Sequence, residues 1–148
     1  MATTNIHLLL ADDDIDDCNF FKEATAEINR PIAVTTVNDG VQLMDYLRSD
    51  LSEYPNLIFL DLNMPKKSGL ECITEIKSIR ELNDIPIVIY STSLDRSVVN
   101  HLYDVGAHKY IQKPNDFNRI ISVIEKTINF LFDEIPAEQS RDQFIIQP

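Results

Sequence analysis

Apolar residues fall into two alternating textures along this chain: short, nearly unbroken runs, and longer segments where they recur every three or four positions. The runs are Ile6 to Ala11, Ile32 to Val37, Leu57 to Leu60 and Ile85 to Ser91, and Lys109 to Lys113 is a short fifth strand candidate ended by Pro114. Short apolar runs bounded by turn signals predict strands, and the unbroken ones predict strands buried on both faces. Pro86 stands at the start of its run, where a missing N–H donor is tolerated. The periodic segments predict helices. Their apolar faces are Ile15, Cys18, Phe21 and Ile28; Leu43, Met44, Leu47 and Leu51; Leu70, Ile73, Ile76 and Ile79; Val98, Val99, Leu102 and Val105; and Phe117, Ile120, Ile121, Ile124, Ile128 and Leu131. Their ends carry matching punctuation: a Ser68/Glu71 capping box, a turn at Asn38-Asp39-Gly40, a break at Asn83-Asp84 and a stop at Gly106.

Strand and helix thus alternate through residues 5–132. This order predicts an α/β fold, a five-stranded parallel sheet wound on both faces by helices through right-handed crossovers. The stretch 133–148 is polar apart from Phe144-Ile145-Ile146 and too short for a second domain. A frayed tail is the plain expectation, with a helper strand or a docking segment through that apolar patch as alternatives.

In a parallel sheet the carboxyl ends of all strands open on one rim, where such sheets place their ligands. Asp12 and Asp13 follow the first strand, Asp61 the third, Ser91 ends the fourth and Lys113 the fifth. Residues far apart in sequence can therefore converge. Two carboxylates about 4 Å apart repel by roughly 4 kcal/mol at an effective dielectric near 20. A third is tolerable only with protonation or a cation, and a hard divalent ion with oxygen ligands, Mg²⁺ in the cell, is the economical answer. A carboxylate left facing a metal and a lysine is an activated oxygen nucleophile. A nearby hydroxyl and ammonium suit the oxygens of a phosphoryl group.

Charge sharpens the reading. The net charge of −11 argues against a nucleic-acid-binding face, which needs clustered Lys and Arg. Cys18 and Cys72 are too few for a disulfide framework and fall in helical segments, so they read as small buried thiols. The first residues lack the basic and apolar regions of a signal peptide, and no run approaches a membrane span. A cytoplasmic protein that binds no membrane is expected.

Taken in order, Leu-Ala-Asp12-Asp13, Leu-Asp61-Leu-Asn-Met-Pro, Tyr90-Ser91 and Tyr110-Ile-Gln-Lys113-Pro114 resemble the receiver domain of two-component response regulators. The similarity runs from about Asn5 to Leu131. Pro65-Lys66-Lys67-Ser68-Gly69 and Ser91-Thr92-Ser93 are similar to the stand-alone, phytochrome-associated receivers of chemotaxis-regulator-like build. The resemblance implies a flavodoxin-like strand order 2-1-3-4-5 in three layers. It implies that Asp61 accepts a phosphoryl group from a histidine kinase or a histidine phosphotransfer protein. Asp12, Asp13, Asp61 and the main-chain carbonyl of Asn63 would hold Mg²⁺. Ser91 would be the switch hydroxyl, Lys113 the lysine that pairs with Asp61 and then with its phosphate, and Tyr110 the aromatic whose rotamer reports the state. Lys113-Pro114 would be a cis bond. Thr92 departs from the usual very small residue and, with Asn63 and Ser93, borders the access route to the phosphoryl group. Such a protein is not an enzyme in the ordinary sense, catalysing only its own phosphorylation and dephosphorylation. Its output is contact with a downstream protein, with a homodimer as a candidate and Tyr103, Val105 and the surroundings of Lys109 as the face by analogy.

Plainer readings stand beside these. Asp14, Asp16 and Asp17 read as acids favoured at a helix N-terminus. Tyr110, as an aromatic in a short edge strand, could simply cover the core. His7 is expected against a helix layer, and His101 and His108 exposed. A haloacid-dehalogenase-type phosphatase also uses a strand-end Asp, Mg²⁺, a hydroxyl and a Lys. It needs a late acidic pair, where this chain offers Ser91 and Lys113. A pseudo-receiver would lack part of the acid–lysine set, and nothing in that set is missing.

Overall fold

The computed structural model describes residues 5–49, 53–132 and 144–146. β1 (Ile6–Ala11), β2 (Ile32–Val37), β3 (Leu57–Leu60), β4 (Ile87–Ser91) and β5 (Lys109–Gln112) alternate with α1 (Ile15–Ala26), α2 (Gly40–Arg48), α3 (Gly69–Ser78), α4 (Arg96–Val105) and α5 (Phe117–Phe132). All strand pairs are parallel. The sheet departs from the five-stranded expectation by one strand. Ile145–Ile146 forms β6 beside β5, giving the order β2-β1-β3-β4-β5-β6. Tyr110 pairs with Ile145 and Ile111 with Ile146, so Tyr110 does not lie in an edge strand. The added strand is held by a side chain as well as by the ladder. Phe144 is fully buried, its ring edge-on to Tyr103 at 5.3 Å between centroids.

The alternation of strand side chains divides the interior into two cores. On one face Leu8, Leu10, Phe59, Tyr90 and Ile111 meet Cys18, Phe21, Ile124 and Ile128 of α1 and α5. On the other, Leu9, Ile58, Leu60, Ile89 and Tyr110 meet Leu43, Ile73, Ile76 and Leu102 of α2, α3 and α4. Burying a Leu or Ile side chain stabilises by about 1.5–3 kcal/mol. Unbroken apolar strands therefore fix the central register without help from the loops.

The caps fall where the sequence puts them. Ser68 and Glu71 form the reciprocal capping box of α3. Gly106 closes α4 in the left-handed region at φ 106°, a conformation that disfavours any side chain. Four details differ from expectation. α3 ends at Ser78, before Asn83-Asp84. Ile15, in the first turn of α1, is 57% exposed rather than packed on the sheet. His108 is half-buried rather than exposed. Its Nδ1 accepts from the Ile87 N–H at 3.3 Å, and burial holds its pKa down to about 4. The Lys113–Pro114 peptide is trans, the ordinary ground state, not cis. His7, half-buried, bonds Thr35 Oγ1 through Nε2 at 2.8 Å, and His101 is exposed. Leu51 and most of the stretch 133–148 lie outside the described residues.

Candidate functional site

Strand ladders deliver the acidic residues to one rim. The Asp12 N–H continues the β1–β2 ladder onto Val37 O at 3.0 Å, and the Asp61 N–H continues the β1–β3 ladder onto Ala11 O at 2.9 Å. Asp12 is then anchored from three directions. Its Oδ1 accepts from the Asp14 N–H at 3.0 Å, and its carbonyl accepts from Asn38 Nδ2 at 3.1 Å and Cys18 Sγ at 3.4 Å. Asp14 caps α1 by accepting from the Asp17 N–H.

Glycines hold the loop after β3. A Cβ on Gly69 would lie 2.3 Å from Asp61 O, so α3 can start this close to the acid only on glycine. A Cβ on Gly40 would lie 2.1 Å from Lys67 O, which locks the same loop against the start of α2. Lys66, the one described non-glycine residue with positive φ (68°), turns the loop there and reaches Asp39 Oδ2 at 3.6 Å.

Lys113 enters from the other side. Its N–H donates to Ser91 O at 2.7 Å, and its ammonium stands 2.7 Å from Asp12 Oδ2, 2.9 Å from Asp17 Oδ2 and 3.8 Å from Asp61 Oδ2. Ser91 is buried at the end of β4. Its Oγ lies 3.3 Å from Ser93 Oγ and accepts from the Ser93 N–H at 3.4 Å. Tyr110, fully buried, donates its hydroxyl to Ser93 O. Gln112 Nε2 donates to the carbonyl of exposed Thr92.

Burial sets the electrostatics. It raises the Asp61 carboxyl to about 6, with Lys113 opposing and Asp12 adding to the rise. It also raises Asp12, against the hydrogen bond from Lys113. Burial disfavours the Lys113 charge, but its bonds to Asp12 and Asp17 and the field of Asp61 outweigh that and raise its pKa. The ammonium stays charged and its positive charge is divided among three acids. Burial takes both thiols up to about 11, so Cys18 and Cys72 are unreactive packing groups.

Asp12, Asp13 and Asp61 each offer an oxygen within 4.8 Å of the other two. Asp12 Oδ2 is buried and faces the Lys113 ammonium at 2.7 Å. Three carboxylates that each bring an oxygen to one point make an all-oxygen donor set that fits a hard divalent cation. The chain matches the response regulator receiver domain family over residues 8–125. The chain is a response regulator receiver domain.

Two kinds of relative agree with this. The receiver is 29% identical over 134 residues to the response regulator Rcp1 of Synechocystis, covering 86% of this chain and 90% of Rcp1. Its structure is similar to the phosphorylated cyanobacterial phytochrome response regulator RcpA, with TM-score 0.81 and 34% identity over 90% of this chain and all of RcpA. It is also similar to the Mn²⁺-bound form of Rcp1, with TM-score 0.78 and 27% identity over 90% of this chain and 99% of the other. Divalent-cation binding at the acidic rim is thus supported both by the donor set and by a relative.

Of the residues singled out from sequence, the receiver brings Asp12, Asp13, Asp61 and Lys113 together, while Ser91 at the end of β4 and Tyr110 in β5 are linked to each other through Ser93. The main-chain N–H of Asn63 points at Asp61 Oδ1 from 3.4 Å. Sequence reasoning passed over Asp17, which is one of the two closest partners of Lys113. It read Asn38 only as a turn residue and Ser93 only as a border of the access route, without the bond from Asn38 to the Asp12 carbonyl or the contacts of Ser93 with Ser91 and Tyr110. Asp17 left one faint signal: it directly precedes buried Cys18, so it borders the inward face of α1.

Proposed function

We propose that the receiver is a phosphorylatable switch in which Asp61 is the acceptor. The convergence of Asp61 with Asp12, Asp13 and Lys113 on one rim carries this reading. An Asp61 carboxylate oxygen attacks the phosphorus of a phosphohistidine, the P–N bond breaks as the P–O bond forms, and the imidazole nitrogen takes up a proton. Asp12, Asp13, Asp61 and the Asn63 carbonyl would hold Mg²⁺, which supplies charge neutralisation for the phosphoryl oxygens when bound. Lys113 and Ser91 give the phosphoryl group an ammonium and a hydroxyl. Hydrolysis of the acyl phosphate by the same site returns the resting state. The donor is a histidine kinase or a histidine phosphotransfer protein acting in the cytoplasm. It must bring its histidine to the rim, which exposed Ile15, Phe20 and Phe117 border with apolar surface. The unit 5–132 does this chemistry, and 133–148 is an appendage. Output passes to a downstream protein, or to a second copy, through a surface that the added charge of about −1.5 to −2 rearranges.

Acetyl phosphate with Mg²⁺, followed by intact mass, tests the reading. The wild type should gain one phosphoryl mass that Mg²⁺ chelation prevents, and Asp61→Asn should gain none. A phosphoryl group mapped to Asp12 would instead support the phosphatase reading.

A further inference from the structure

The lysine of the site is not resting on the acid it is meant to serve. Its ammonium lies 2.7 Å from Asp12 and 2.9 Å from Asp17, both hydrogen-bonding distances, while Asp61 is 3.8 Å away. Asp12 belongs to the rim in any case. Asp17 does not: it lies in the first turn of α1, its side chain 34% exposed, and its backbone N–H is already used by the Asp14 cap. Its carboxylate Oδ2 accepts from the Lys113 ammonium. Only the described contact to Lys113 engages that carboxylate in the site, across 96 positions of sequence.

We infer that Asp17 is a positioning residue, the resting counter-ion that holds Lys113 off Asp61 and competes with a phosphoryl group for it. The inference rests on the phosphoacceptor reading above and deepens it. In the resting receiver the ammonium is divided between Asp12 and Asp17. A phosphoryl group on Asp61 adds oxygens nearer the lysine and draws the ammonium toward itself, so the Asp17 pair is stretched or broken. Whatever the Asp17 pair contributes to the resting state is subtracted from the affinity of the site for a phosphoryl-like anion. Partly exposed ion pairs are weak, so the effect is one of tuning rather than of all or nothing.

The experiment is a calorimetric titration of beryllofluoride, a phosphoryl mimic, into the full chain with saturating Mg²⁺. Asp17→Asn keeps the shape and removes the charge, and should bind the mimic about three- to tenfold more tightly than wild type. Asp16→Asn is the control, because it removes the same charge from the neighbouring exposed residue; its change should stay under about twofold. In a Lys113→Met background, Asp17→Asn should do no more than Asp16→Asn, a result that a general loosening of α1 would not give. Asp17→Glu, which restores the charge, should return the affinity toward wild type. Equal effects of Asp17→Asn and Asp16→Asn, or weaker binding in Asp17→Asn, would overturn the inference. A wild type that does not respond to the mimic at all, alongside an inert Asp61→Asn, would instead overturn the phosphoacceptor reading.

Discussion

Burial at the sheet rim puts an electrostatic cost on Asp61. Burial at 6% exposure lifts its carboxyl to about 6, against an ordinary value near 3.9 for an unfolded chain. Between about pH 4 and 6 the folded receiver therefore holds a proton here that the unfolded chain has lost. The stability contributed by the protonated acid is complete below about pH 4 and gone once the pH has passed through about 6. Asp61→Asn, a neutral side chain of the same shape, should thus be more stable than wild type at pH 7.5 by about 1–3 kcal/mol, with the gap closing toward pH 4. Urea denaturation at the two pH values, without divalent ions, checks it. A variant less stable than wild type at pH 7.5 would mean that Asp61 is held by attraction to Lys113 rather than strained by burial. The same residue scale explains what sequence missed. Asp17 has two readings, a helix-end acid or a lysine partner, and only the position of a residue near the other end of the chain separates them.

Among the elements, the loop after β3 is the most constrained. It is pinned at Gly69 against Asp61 and at Gly40 against Lys67, with Lys66 in a left-handed turn between. Gly40→Ala puts two effects in competition. A helix-favouring alanine gains up to about 1 kcal/mol. The new Cβ, however, meets backbone 2.1 Å away rather than a flexible side chain, and overpacking of that kind costs about 1–3 kcal/mol. The clash should win. The variant should unfold at lower urea and take acetyl phosphate more slowly, because the displaced loop begins at Asp61. Unchanged stability with an unchanged labelling rate would show that the loop moves freely. Most elements were legible because they rest on period and punctuation: the run ending at Leu60 has to be a buried strand, and Ser68 with Glu71 has to cap a helix. The site was legible for a related reason, since strand ends in a parallel sheet share a rim whatever the side-chain details. β6 was legible only as an alternative, a helper strand through Phe144-Ile145-Ile146, because two residues have no period and their place depends on Phe144 packing beside Tyr103. Ile15 misled for the opposite reason, falling on the apolar period of α1 yet left exposed in its first turn.

At the scale of the whole molecule, a line of contacts runs from Ser91, at the end of β4, to the far edge of the sheet. The Ser93 N–H donates to Ser91 Oγ at 3.4 Å, Tyr110 donates to Ser93 O, and Tyr110 pairs along the ladder with Ile145. A phosphoryl group that draws the Ser91 hydroxyl toward Asp61 must move Ser93 with it, and the Tyr110 hydroxyl then loses its acceptor. β6 is a short edge strand, held among the described residues by two ladder pairs, the buried Phe144 ring and the packing of Ile145 and Ile146, and such segments open locally more easily than the core. Amide exchange at residues 144–146 should therefore speed up several-fold when beryllofluoride and Mg²⁺ are added, and stay unchanged in Asp61→Asn. Tyr110→Phe, which keeps the ring and removes the hydroxyl, should show the faster exchange without the mimic and gain little when it is added. Hydrogen–deuterium exchange with peptide-level detection reads both. If the mimic slows exchange around Ser91 to Ser93 while residues 144–146 do not respond, the line ends at Tyr110, and the edge strand is a fixed part of the sheet rather than a reporter of the site.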